Sequence, residues 1–415
     1  DRWAGVVALA GRADFYMWRK VKPEDISPFK RWLVDLEFAN GFPENFRNIP
    51  VLAMQGEYDE LVENRQSANF VQKLAALGYD AQFMPVRGMG HHIGSAVFSS
   101  DTVFEWMQQR RRPAAPRKVS FATMSLKYNK AYWVTVDDLR SWGQRAFIEA
   151  EALGGNQFAV REVNIAAFTL QPPKELFDSR QPAMVKVGER EFRFDAGTPL
   201  KVVIEPAKPS ALRKTPQVCG PIKDAHNSRF LFVYGTQGDP VENKAIYNQA
   251  ETAVQEWRTF TQAVPLLPRE KDPLMVRDRD LDDEQRAKCN LILIGTPRTN
   301  SVLKEIAPRL PIKFDGDDGF IVGSRKFTGR DIGLNMIYPS PFNPSRYVVV
   351  KSGLHYGSRL ASNHKFDMLP DFIIFDSAPD REIPDQWDGL PNRSLCAGFF
   401  DKYWNLDEEL TWVQK

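Results

Sequence analysis

Cysteine is scarce in these 415 residues: there are three, Cys219, Cys289 and Cys396. The count is odd, the spacings are long and no Cys-x-x-Cys pair occurs. That argues against a disulfide framework and against a zinc ribbon, and leaves at most one bridge. An excess of charge of one sign is also lacking. Lys and Arg number 55 against 53 Asp and Glu, a formal net charge of +2, so bulk charge gives no ground for nucleic-acid or membrane binding. No apolar run reaches the roughly 20 residues of a membrane-spanning helix. An initial methionine is missing too. The chain opens on Asp1 and enters the apolar run "RWAGVVALAG" directly. The expectation is a fragment or processed piece of something longer, with any signal peptide outside it.

What is present looks globular. Hydrophobic residues make up 43% and charged residues 26%, ordinary values for a soluble protein, and the length suits two or three domains. Twelve per cent aromatics and 29 prolines point to a loop-rich, extracellular-type architecture. The compact basic run "QQRRRPAAPRK" reads as a helix end followed by a linker, because cations favour the negative end of the helix dipole and proline follows naturally.

Three textures follow one another. Over 1–112, apolar strands alternate with helices: Val6–Ala10, "IPVLAMQGEYD", then a helix in "ENRQSANFVQKLAALGYD" with Phe70, Leu74 and Leu77 on one stripe and Gly78 as its stop. The strand "AQFMPVRG" and the helix "DTVFEWMQQRR", with Asp101 as N-cap, complete the series. Strand–helix alternation predicts right-handed crossovers and a parallel sheet. Over 113–212, "KVSFATMSLKYNKAYWVTVDDL" and the runs after it alternate with period two, which predicts an antiparallel β-rich, sandwich-like module. Over 213–415 the α/β texture returns with "RFLFVYGTQG", "NLILIGTPRTN", "RYVVVKSG" and "DFIIFDS". Two of these strands end in Gly-Thr, at Gly235–Thr236 and Gly295–Thr296. Such loops read either as phosphate- or sugar-binding turns or as ordinary capped strand-to-helix turns. Neither matches Gly-x-Gly-x-x-Gly or a P-loop.

The chemistry-bearing residues sit in the first segment. Asp59 follows one predicted parallel strand and the "GMGHH" loop follows the next, both at the edge where open α/β sheets bind ligands. A carboxylate can hold an imidazole in one tautomer and stabilise its cation, and glycines let the histidine loop cross the sheet edge. An acid and then a histidine, in this order, is the second half of the Ser…Asp…His order of α/β-hydrolases. The alternatives are a turn-forming Asp59, a metal site at His91–His92, disfavoured because adjacent side chains diverge, and His92 in place of His91. Trp133, Trp142 and Trp257 could stack on sugars but read more simply as core. His226, His355 and His364 read as structural or surface residues.

On "PVLAMQGEYDELV", "LAALGYDAQF" and "GMGHH", the segment 1–112 resembles the C-terminal half of an α/β-hydrolase of the prolyl-oligopeptidase-like serine peptidase and esterase group. "DRWAGVVALAG" resembles the strand after the nucleophile helix of that group. The resemblance implies Asp59 as triad acid and His91 as triad base, with no cofactor and no metal. It implies a peptide or ester substrate and a secreted or periplasmic setting. It also requires a Gly-x-Ser-x-Gly elbow, which these residues lack, so the nucleophile and oxyanion hole are expected upstream of Asp1. The expected fold class is thus α/β: a partial hydrolase sheet over 1–112, the β-rich module over 113–212 and a small α/β module over 213–415. The later segments resemble the long modules that follow such hydrolase domains in large bacterial proteins. The competing function is a non-catalytic carbohydrate- or protein-binding adhesion protein with a vestigial hydrolase half.

Overall fold

A computed structural model describes residues 2–209, 212–261, 273–353, 369–376 and 393–414. The chain is α/β in the general sense and divides into two compact units, Asp1–Ile26 with Val34–Lys208, and Ser27–Leu33 with Pro209–Lys415. Among the described residues no helix is long and apolar enough to cross a membrane. All three cysteines are buried and free.

The first unit opens with a parallel sheet of β1 (Val6–Leu9), β2 (Val51–Gly56) and β3 (Ala81–Val86), in that order. Helix α1 (Phe15–Arg19) and the part of α2 (Pro28–Glu37) from Val34 on precede β2, α3 (Arg65–Ala76) joins β2 to β3, and α4 (Gly94–Phe98) and α5 (Thr102–Gln108) follow. Every residue of β2 is buried, as expected of a strand covered on both faces. Val51 packs with Phe70 and Leu74 of α3, while Leu52 and Met54 pack with Ile93, Val97, Val103 and Trp106. Two expectations shift. Leu77 is 43% exposed, because α3 stops at Ala76 and the chain turns away through Gly78 at φ +76. Asp101 makes no capping bond; instead the Ser100 Oγ accepts from the Thr102 amide at 3.2 Å.

The β-rich part of this unit comprises β4 (Lys118–Thr123), β5 (Lys130–Ala131), β6 (Val134–Leu139), β7 (Ala146–Gly154), β8 (Gln157–Val163), β9 (Ile165–Leu170), β10 (Ala183–Val187), β11 (Arg190–Phe194) and β12 (Leu200–Val203). They form two sheets, ordered β11-β10-β8-β7-β4 and β12-β9-β6-β5. The pairing is antiparallel except that β10 lies parallel to β8. The reason is that β9 takes the chain into the other sheet, and a strand that returns beside β8 by such a crossover arrives in the same direction. The free edge of β4 is not left open. Asn45 exchanges two hydrogen bonds with the Ala122 backbone, and Arg47 binds Ser120 and Glu149. These contacts come from the turn that leads into β2, and they tie the two parts into one unit.

In the second unit the strands are β13 (Phe230–Tyr234), β14 (Met275–Arg277), β15 (Asn290–Ile294), β16 (Lys313–Phe314), β17 (Gly319–Val322), β18 (Arg325–Thr328), β19 (Ile332–Pro339), β20 (Tyr347–Ser352), β21 (Phe372–Asp376), β22 (Arg393–Phe400) and β23 (Leu406–Val413). Helices α6 (Pro240–Thr261), α7 (Asp283–Lys288) and α8 (Ser301–Ile306) connect the first of them. Eight strands make one mixed sheet, β14-β13-β15-β20-β19-β21-β22-β23, and β16-β17-β18 a small one. The first four of the eight are parallel and the rest antiparallel. His355 and His364 lie outside the described residues.

Candidate functional site

The turn after β2 is built around Asp59. Its Oδ1 accepts from the amides of Leu61 at 3.0 Å and Val62 at 2.8 Å. Its Oδ2 accepts from Gln55 Nε2 at 3.2 Å. Gln55 is the one polar side chain in the "VLAMQG" strand and is fully buried. It donates to the Val62 carbonyl as well and accepts from Ser67 Oγ of α3 at 2.6 Å. The Asp59 side chain has no exposed surface. Burial alone would raise its pKa. Hydrogen bonds from Val62, His91 and Gln55, with the charge of a protonated His91, outweigh burial and hold the carboxyl below its ordinary 3.8.

His91 Nδ1 lies 2.9 Å from Asp59 Oδ2 and 3.2 Å from Oδ1. An ionised carboxylate only accepts, so the proton of this bond sits on Nδ1. Nε2 is then the basic nitrogen of the neutral ring. It has no hydrogen-bond partner among the described residues, and the side chain is 30% exposed. His92 is exposed and makes an edge contact with His91 at 5.4 Å between ring centroids. The structure therefore brings His91, and not His92, to Asp59. Among the described residues no group of three or more His, Cys, Asp or Glu could hold a metal ion.

Backbone contacts set the direction of the histidine loop. The Glu57 amide donates to the Val86 carbonyl at 3.0 Å and the Tyr58 amide to Met89 at 2.9 Å. Gly88, at φ +69, donates to Glu57 Oε2. At Gly56 the two loops touch: a Cβ there would lie 2.0 Å from the Gly90 carbonyl oxygen. Beyond the loop, Ile93 and Val97 anchor it in the core. Gly56→Ala is therefore expected to push the loops apart and to cost about 1–3 kcal/mol. The check is chemical denaturation together with the proton NMR signal of the Nδ1–H that binds Asp59, which should be lost or shifted. A cavity of about 230 Å³, lined by Met54, Met84, Arg87, Val97 and Val103 among others, includes neither Asp59 nor His91.

Sequence reasoning passed over Gln55 and Ser67. The available signal was a glutamine inside an otherwise apolar strand, since a polar side chain buried on both sides must find partners.

The two Gly-Thr loops end adjacent strands, β13 and β15, whose connections leave in opposite directions. That is the topological switch point where such sheets bind ligands. Here the protein fills it. Asn300 Nδ2 donates to the carbonyls of Val233 and Ile294, at 3.0 and 3.1 Å. The Gln237 amide goes to the Thr299 carbonyl, and those of Gly235 and Gly295 go to Ile294 and Lys351. The Thr296 amide goes to Thr299 Oγ1. These N–H groups are spent inside the fold, which favours the capped-turn reading. Asn300 also caps α8, accepting from Val302 and Leu303 at 3.1 Å each. Asn300→Ala should cost about 2–4 kcal/mol, a lost cap plus two stranded carbonyls, read from the denaturation midpoint.

The tryptophans are packing residues. Trp133 is buried and donates to the Pro116 carbonyl at 2.8 Å, and Trp142 is buried as well. Trp257 stacks on His226 at 5.0 Å between centroids. Burial, with the Lys351 charge, pushes His226 from 6.5 down to about 3, against hydrogen bonding to the Ile222 and Lys223 backbone. A histidine kept neutral in the fold takes up its proton on unfolding. Its stabilisation is full above pH 6.5 and is lost as pH falls towards about 3. Within that window stability should drop by about 1.4 kcal/mol per pH unit from this group. His226→Phe should remove that part of the slope in denaturation curves taken across the same pH range.

No family model, curated protein or solved structure matches the chain.

Proposed function

We propose that residues 1–112 are the C-terminal part of an α/β-hydrolase domain of the prolyl-oligopeptidase-like group, with Asp59 and His91 as acid and base of a Ser-His-Asp triad. One observation carries the reading: a buried, hydrogen-bonded carboxylate stands 2.9 Å from His91 Nδ1 at the carboxyl edge of a parallel sheet. Asp59 fixes the tautomer, so Nε2 can take the proton of a serine hydroxyl as that oxygen attacks a carbonyl carbon. The same Nε2–H then protonates the leaving alcohol or amine, and the Asp59 charge stabilises the imidazolium between the two steps.

These residues contain no Gly-x-Ser-x-Gly, so the reading places the nucleophile and the oxyanion hole ahead of Asp1. The substrate class is a peptide or an ester. The test is labelling of the longer protein with a fluorophosphonate probe. One serine, in sequence that precedes Asp1, should be modified, and residues 1–415 on their own should take no label. A longer protein that stays unlabelled and hydrolyses no ester or peptide would leave the binding or adhesion reading standing.

A further inference from the structure

Lys214 and Asp371 are 157 positions apart, and the second unit folds them into contact. Nζ stands 2.6 Å from Oδ2, with the side chains 0% and 1% exposed. Two ions taken out of water are compensated only where their remaining hydrogen-bonding capacity is met, and here part of it is not. Oδ2 accepts a second hydrogen bond, from the Phe400 amide at 3.1 Å, but Oδ1 has no partner among the described residues. Gly220 closes that side, since a Cβ on it would lie 2.1 Å from Oδ1. The buried Trp404 ring covers Nζ at 4.8 Å. The backbones are held as well. Asp371 is bonded to Gly398 and Ile337, and the Lys214 amide donates to the Lys402 carbonyl.

Burial pushes the Lys214 ammonium down and the Asp371 carboxyl up, and in each case it outweighs the attraction of the partner. Both directions favour a neutral amine beside a neutral carboxylic acid, the forms in which nitrogen is a nucleophile and a carboxyl carbon an electrophile. Contact geometry supplies the rest. Well-oriented intramolecular partners react as if at effective concentrations of about 10⁵–10⁸ M, and a fixed amide N–H on the carbonyl oxygen stabilises the charge that develops there.

We propose that Lys214 and Asp371 condense into an intramolecular amide that closes the second unit covalently. The Nζ lone pair attacks Cγ, and Oδ2 carries the negative charge under the Phe400 N–H. Oδ1 leaves as water, taking the carboxylic proton and one amine proton, so an Nζ–Cγ bond replaces the Cγ–Oδ1 bond. No oxidant or reductant enters. The step also removes Oδ1, a buried oxygen without a partner among the described residues.

The test is the intact mass of the denatured full chain, which should lie about 18 Da, one water, below the mass of the sequence. Proteolysis should release a branched peptide joining Lys214 to Asp371. Lys214→Arg and Asp371→Ala should each restore the sequence mass. The branched peptide comes from the wild type, so the test does not depend on the variants folding. A chain at full sequence mass overturns the proposal. So does a loss of water without the branched peptide, as from a succinimide at another aspartate.

Discussion

On the proposed triad, His91→Ala in a longer protein that carries the serine is expected to slow fluorophosphonate labelling by about 10³-fold or more, with the fold kept, because the ring is part-exposed and its side-chain hydrogen bond among the described residues goes to Asp59. Without the imidazole no group is placed to take the serine proton. Asp59→Asn should be nearly as severe, about 10⁴-fold, for a different reason. An amide at this position can donate to Nδ1, which moves the ring proton to Nε2 and leaves no base facing the serine. His92→Ala should change labelling little, since His92 is exposed and does not reach Asp59. Equal losses for His91→Ala and His92→Ala would sink the assignment. The Asp59 carboxyl also makes a prediction for acid. Its pKa lies below 3.8 in the fold, so its stabilisation is full above 3.8 and is lost as pH falls through the lower folded value.

Lys214→Met is expected to give the largest loss of stability, because it strands the Asp371 carboxyl in the core, about 3–5 kcal/mol, and also removes the cross-link, roughly 2–4 kcal/mol more. Lys214→Met/Asp371→Leu removes both polar ends and should recover the first of these parts. It should still fall short of the wild type by roughly 2–4 kcal/mol, the constraint of a cross-link that closes a long loop. Urea denaturation followed by fluorescence measures both. A double variant as stable as the wild type would be incompatible with the amide.

Much of the fold is legible in the sequence because local rules act there without competition. The apolar stripe of α3 and its Gly78 stop follow from helical period and from the φ that glycine accepts. The strands of the β-rich part follow from two-residue alternation, as in β7. Asp59 and the histidine loop stand out because each follows a recognisable strand. What needed tertiary structure was everything set by partners distant in sequence. His91 rather than His92 meets Asp59 because Gly56 lets the loops touch and Ile93 anchors the far end. The parallel β8–β10 pair depends on a detour through another sheet. The Gly-Thr loops resemble ligand turns until Asn300 is seen in the crevice. Lys214 and Asp371, 157 positions apart, carry no mark of each other along the chain. Periodicity and turn chemistry are written over a few residues, whereas contact, burial and the loss of charge that burial favours exist only once distant segments have closed on one another.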